Sequence, residues 1–142
     1  MKSEELRSIQ APLKALCKTD PESAFKILKI RGKIDDDISC ILEANRGIIE
    51  AGLNPASGGS GLQACSGDML LESLVACSGV TLAAVATAFD IDIKDSRVEA
   101  EGDLDFRGTL GVSKDVPVGF KSIRLKFIIK SNAAKDKIDK LL

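Results

Sequence analysis

The sequence predicts an α+β domain, on three observations. Residues 67–89 are apolar or small almost all round, the composition of a helix packed within a core. Residues 97–107 and 120–130 alternate between apolar and charged side chains, the period of half-buried strands. Residues 25–50 alternate as well, with turn-forming residues between two of the runs. At 142 residues the chain suits one domain and is long enough to bury a core.

The elements follow in order. Leu6, Ile9, Leu13 and Leu16 recur at three- and four-residue steps, so residues 3–18 read as a helix, with Pro12 either near its start or breaking it. Thr19-Asp20-Pro21-Glu22 punctuates its end, and residues 1–22 are expected to be an accessory segment ahead of a main domain, 23–142. Leu28, Ile30, Gly32 and Ile34 mark one strand face, and Ile38, Cys40, Leu42 and Ala44 the next. Asp35-Asp36-Asp37 is a solvated turn between them, lacking the further oxygen ligands and glycine of a calcium loop. Ile48 and Ile49 begin a third, short strand.

Residues 52–62 are rich in Gly and Ser and read as a surface crossover. The pattern is neither G-x-G-x-x-G nor a P-loop, so it makes no case for a nucleotide. The long helix then starts near Ser66, a plausible N-cap, with Asp68 at the positive end of the helix dipole. Cys77 sits at its centre. In the two strands that follow, Val98, Ala100, Gly102, Leu104 and Phe106 oppose Glu99, Glu101, Asp103 and Asp105, and Ile123, Leu125, Phe127 and Ile129 oppose Arg124 and Lys126. One acidic and one basic outer face suit antiparallel neighbours. The tail from Asn132 starts a last helix, with Ile138, Leu141 and Leu142 on one side.

Composition excludes several classes of function. A net charge of −1 gives no electrostatic case for nucleic acid or an anionic membrane. No run of consecutive apolar residues reaches the roughly 18 that suggest a membrane span, and the N-terminus lacks a signal peptide's apolar stretch, so a cytoplasmic location is expected. There is no His, which removes His-based triads and dyads and the commonest metal ligand. Cys17, Cys40, Cys65 and Cys77 are widely spaced, without C-x-x-C, and read as reduced thiols rather than a zinc site. No metal and no cofactor is expected. A thiol on an apolar helix is either an inert core residue or a tuned nucleophile, and periodicity leaves both readings open for Cys77.

Four segments resemble a known family. They are the loop Asn54-Pro55-Ala56-Ser57-Gly58-Gly59; the run from Ser66 through Asp68 and Cys77 to Leu82; the run from Ile93 to Asp105; and Gly119-Phe120 leading into the last strand. In order and spacing they are similar to the OsmC/Ohr family, the osmotically induced and organic-hydroperoxide-resistance proteins, over about residues 25–142. The resemblance implies curved antiparallel sheets packed around long central helices, in an intertwined homodimer with active sites at the subunit interface. It implies a thiol-dependent peroxidase, a cysteine-based reductase acting on small organic hydroperoxides in oxidative-stress defence and regenerated by an external thiol.

Carried over residue by residue, Cys77 matches the peroxidatic cysteine and Asp68 the acidic position of OsmC-like members; Ohr-type members place a Glu where this chain has Gly67. Arg31 and Arg46 are candidates for the arginine that supports the thiolate. The family's resolving cysteine lies beyond a segment like Lys137–Leu142, so the domain is expected to stop short of the family's C-terminal end. Cys65 and Cys40 are the alternative resolving thiols. Helix rise puts Cys65 about 18 Å from Cys77, well outside disulfide reach. Competing readings are a non-catalytic homodimer that binds a small apolar ligand, and a redox sensor.

Overall fold

The computed structural model describes residues 1–20, 22, 25, 27, 31–35, 39–44 and 47–141, with 31–35 and 39–44 as backbone alone. The order of elements is α1 (Ser3–Thr19), β1 (Arg31–Asp35), β2 (Ser39–Ala44), β3 (Gly47–Gly52), β4 (Ala64–Cys65), α2 (Ser66–Ala88), β5 (Arg97–Leu104), α3 (Phe106–Thr109), β6 (Phe120–Ile128) and α4 (Lys135–Ile138). This is the α+β arrangement expected. The chain divides into two units, and α2, β5 and β6 each run from one into the other.

One unit comprises Lys29–Val75 and Glu99–Lys126. Its sheet has the order β1-β2-β3-β4. The first three strands are antiparallel, with Ile34 opposite Cys40 and Cys40 opposite Ala51. The two-residue β4 then pairs parallel to β3, Ala51 with Ala64 and Gly52 with Cys65. Residues 36–38, including most of the expected aspartate turn, lie outside the described residues. The predicted crossover is ordered locally by a 3-10 turn, Pro55–Ser57.

β5 and β6 form a two-stranded sheet. Its outer face carries the charge pairing expected: Arg124 bonds Asp103 and bridges to Glu101, Lys126 lies 3.7 Å from Glu99, and Ser122 donates to Asp103 at 2.6 Å. Partners that rise along one strand fall along the other, so the pair is antiparallel. On the inner face the Phe120 ring lies over Gly102, where a Cβ would come within 2.2 Å of Cε1. That contact needs a glycine. β5 ends earlier than expected, because Asp105 caps the short α3, its Oδ1 accepting the Arg107 backbone N–H at 3.1 Å and the Arg107 Nε–H at 3.0 Å. The Arg107 guanidinium and this backbone donor hold the Asp105 carboxyl at about 2. The carboxyl is therefore expected to titrate near pH 2 in a carbon-detected NMR titration. Any stability it adds is present above the unfolded aspartate pKa and lost as pH falls through the folded one.

The other unit comprises Met1–Leu28, Ala76–Val98 and Phe127–Leu142. Pro12 sits within α1 without ending it. Ser3 is buried, and Arg7 Nη2 donates to the Ala88 carbonyl at the end of α2, 3.0 Å away. Leu82 and Ala86 of α2 and Ile91 beyond it are buried. Ser96 Oγ accepts the Lys130 N–H at 2.8 Å, tying the start of β5 to the residues after β6. The tail helix is shorter than its pattern suggests and covers Lys135–Ile138.

α2 departs from expectation in its burial. Only Leu82 and Ala86 of its 23 residues are buried, although an all-round apolar helix should be covered. By length and composition it is also long and apolar enough to cross a membrane: its most apolar window has a mean hydropathy of 1.8, of which 11% is buried. Counting consecutive apolar residues misses this, because Ser, Gly, Thr and Glu72 interrupt the run without lowering its mean much. Ser66 is the first helical residue, preceded directly by β4, so it is not the N-cap. Among the described residues the buried apolar side chains are Ala51, Leu82, Ala86 and Ile91.

Candidate functional site: two thiols on one helix

Cys77 lies in the middle of α2 and its side chain is exposed. Residues at three-, four- and seven-residue steps share its face: Leu70, Ser73, Val80 and Thr81 are exposed, with Val80 at 71%, and Leu74 and Ala84 are half-buried. None is charged. Glu72, the nearest charged residue in sequence, lies about 140° away around the helix. The thiol therefore stands on an uncharged, largely apolar stripe that the described residues leave partly open.

Cys65 has a built surrounding. It ends β4 immediately before α2 and is half-buried. The Asn54-to-Gly59 loop folds back on itself to aim Asn54 at it. The Asn54 carbonyl accepts the Ser57 and Gly59 N–H groups at 2.8 and 3.1 Å, and its Oδ1 accepts the Ala56 N–H at 2.9 Å. Gly58, at φ 95°, closes the turn in the left-handed region open to glycine. That leaves Asn54 Nδ2 to donate to Cys65 Sγ at 3.6 Å. The Asp68 backbone N–H is the strongest influence lowering the Cys65 pKa; burial opposes it, and the Asn54 amide and Gly67 N–H add to it. These are the free amides of a helix start, which favour a thiolate. Gly67 lies beside this sulfur: a Cβ there would sit 3.7 Å from Sγ, 3.4 Å from Phe120 and 3.6 Å from Leu104.

Asp68 contributes its backbone N–H to Cys65, and at nine helical residues Asp68 and Cys77 are about 14 Å apart and on opposite sides of α2. Cys65 immediately precedes α2 and Cys77 lies at its centre, about 18 Å further along by helix rise. Arg31 opens β1, opposite Glu43, and Cys40 lies on β2, both as backbone alone; Arg46 lies outside the described residues. Cys17 is exposed on α1. Asn54 was not singled out from the sequence as a functional residue. Its signal was an Asx-type loop followed by a cysteine immediately before a helix start. Among the described residues no cluster of His, Cys, Asp or Glu could hold a metal.

This geometry makes one measurable difference. Alkylation of Cys65 by iodoacetamide is expected to show a pH midpoint below the roughly 8.5 of a free thiol, and Asn54→Ala should move it upward. A midpoint unchanged by that substitution would remove Asn54 from the account.

The comparisons follow the same fold. The chain matches the family model described as OsmC-like protein over residues 59–142. It is similar to the crystal structure of an OsmC-like protein from Mycoplasma pneumoniae, at 21% identity and TM-score 0.66, covering 82% of this chain and 77% of that one. It is also similar to a structure from Legionella pneumophila described as an organic hydroperoxide resistance protein OsmC, predicted redox protein, regulator of sulfide bond formation. That likeness has 17% identity and TM-score 0.60, covering 82% of this chain and 81% of that one. No curated protein matches the chain. The matched model spans more than half of the chain and includes α2 with Cys77: the protein belongs to the OsmC-like family.

Proposed function

We propose that the protein is a cytoplasmic, thiol-dependent reductase of small organic hydroperoxides, with Cys77 as the peroxidatic thiol, working as a homodimer that needs no cofactor. The observation that carries this reading is the exposed, uncharged stripe around Cys77 on the most apolar helix of the chain. Family membership and the hydroperoxide-resistance description of the Legionella neighbour support it. The low burial of so apolar a helix as α2 supports a partner surface as its cover.

In this reading the Cys77 thiolate attacks the outer peroxide oxygen. The O–O bond breaks, the alkoxide leaves as the alcohol after taking a proton, and the sulfur is left as a sulfenic acid. An external thiol then attacks that sulfur, releasing water and forming a mixed disulfide, and a second thiol releases Cys77 reduced. Apolar walls favour alkyl over hydrogen peroxide. Arg31 and Arg46 remain the candidates for thiolate support, and Asp68 for the acidic position. Cys65 and Cys40 remain the candidate resolving thiols, but Cys65 of the same copy reaches Cys77 only if the first turns of α2 unwind.

A redox sensor is a second reading, favoured by the thiolate-stabilising surrounding of Cys65. Steady-state consumption of cumene hydroperoxide with an external dithiol separates the two. Sustained turnover supports the reductase; a single stoichiometric oxidation without turnover supports the sensor.

A further inference from the structure

We infer that the Thr81 hydroxyl holds the leaving oxygen of a hydroperoxide that reacts at Cys77. The inference rests on the reading of Cys77 as the peroxidatic thiol and adds a residue to that site. Thr81 follows Cys77 by four positions on α2, with Val80 and Ala84 beside it on the same stripe. Residues four apart on a helix are neighbours, with Cβ atoms about 5–6 Å apart. Helical side chains tilt toward the N-terminus, so Thr81 leans over the turn that carries Cys77. Both side chains are exposed in the chain.

The Thr81 hydroxyl is set apart by being uncommitted. A helical Ser or Thr commonly turns its hydroxyl back onto a carbonyl three or four residues earlier. Thr87 does so on Ala83 at 2.8 Å, and Ser73 on Met69 at 2.8 Å. Thr81 makes no such bond, nor any other among the described residues. Ser73, one turn before Cys77, has therefore spent its proton on the backbone, and Ser78 lies about 100° away around the helix. That leaves Thr81 as the polar side chain of the stripe with an open donor. The reaction needs a donor there. As the thiolate takes the outer oxygen, the O–O bond breaks and negative charge grows on the inner oxygen, which lies further from the sulfur along the line of attack. A donor one turn from the thiol is spaced to meet that oxygen, and a hydrogen bond that strengthens as charge develops lowers the barrier. A threonine hydroxyl is too weak an acid to surrender its proton, so it donates a hydrogen bond while water supplies the proton that turns the alkoxide into the alcohol.

The test compares two reactions of Cys77 at one fixed pH, each followed by peptide mass mapping: oxidation by cumene hydroperoxide and alkylation by iodoacetamide, which has no oxygen to stabilise at the point of attack. Thr81→Val keeps the shape and removes the donor. It should slow oxidation roughly ten- to a hundredfold and leave alkylation within about twofold of wild type. Thr81→Ser keeps the donor and should oxidise within about threefold of wild type. Oxidation of Thr81→Val at the wild-type rate overturns the inference and leaves the reading of Cys77 intact. So does an equal slowing of alkylation, which would assign the hydroxyl to the thiol itself or to local structure, and so does a loss in Thr81→Ser as large as in Thr81→Val. Should Thr81→Val fail to fold, Thr81→Ala must show the same selective loss or the inference fails. A wild-type Cys77 that alkylates but is not oxidised by the hydroperoxide overturns the peroxidatic reading, and the role of Thr81 with it.

Discussion

Cys77→Ser is expected to lower cumene hydroperoxide consumption to the uncatalysed background, a fall of at least 100-fold, while leaving the fold intact. The hydroxyl is close in size to the thiol but is not oxidised by peroxide, so the variant removes the chemistry and little else. The position is exposed within the chain, so no packed core of this copy is disturbed. Cys65→Ser should behave differently. With α2 intact, Cys65 lies too far from Cys77 to resolve its sulfenic acid within one copy. Turnover with an external dithiol should therefore persist at more than about half the wild-type rate. A Cys77→Ser variant that consumes peroxide normally would leave the ligand-binding or sensing readings standing.

Val80→Asp carries the second large effect. Val80 is one turn beyond Cys77 on the same open stripe. If a second copy covers that stripe, the substitution places an unpaired carboxylate in an apolar contact, at a cost of several kcal/mol. The dimer should dissociate at micromolar concentration, and hydroperoxide activity should fall with it, since Cys77 loses its dry surroundings. Because Val80 is 71% exposed in the single chain, the monomer's own packing should survive. A variant that remains fully dimeric would show that α2 meets its partner elsewhere, or meets something other than a second copy.

How much was legible in the sequence depended on how local each cause was. The β5–β6 pair was legible because alternating charge is written into each strand, and Arg124 meets the acidic face as the pattern implied. α1 was legible from its seam, and Pro12 did not break it. α2 was legible as a helix, but its burial was not: apolar composition says that a helix must be covered and not by what. The short elements were hidden. β4 is two residues long, too few for any period, and it forms only because Ala51 and Gly52 are there to pair with. The surrounding of Cys65 was hidden for a similar reason. It depends on a loop that returns Asn54 to a residue eleven positions later. Asp68, the acidic residue matched by resemblance, also reaches Cys65 through its backbone amide, which no side-chain motif can announce.

The central claim is that Cys77, and not Cys65, is the thiol that reduces the peroxide. Thiolate stability alone does not decide the matter, since a thiol also needs a substrate beside it, and the uncharged stripe is at Cys77. Brief exposure of the wild-type protein to substoichiometric cumene hydroperoxide in the presence of dimedone, followed by peptide mass mapping, reads the answer directly. The sulfenic-acid adduct is expected on the peptide that carries Cys77. Adduct confined to Cys65 or Cys17, with Cys77 unmodified, would contradict it.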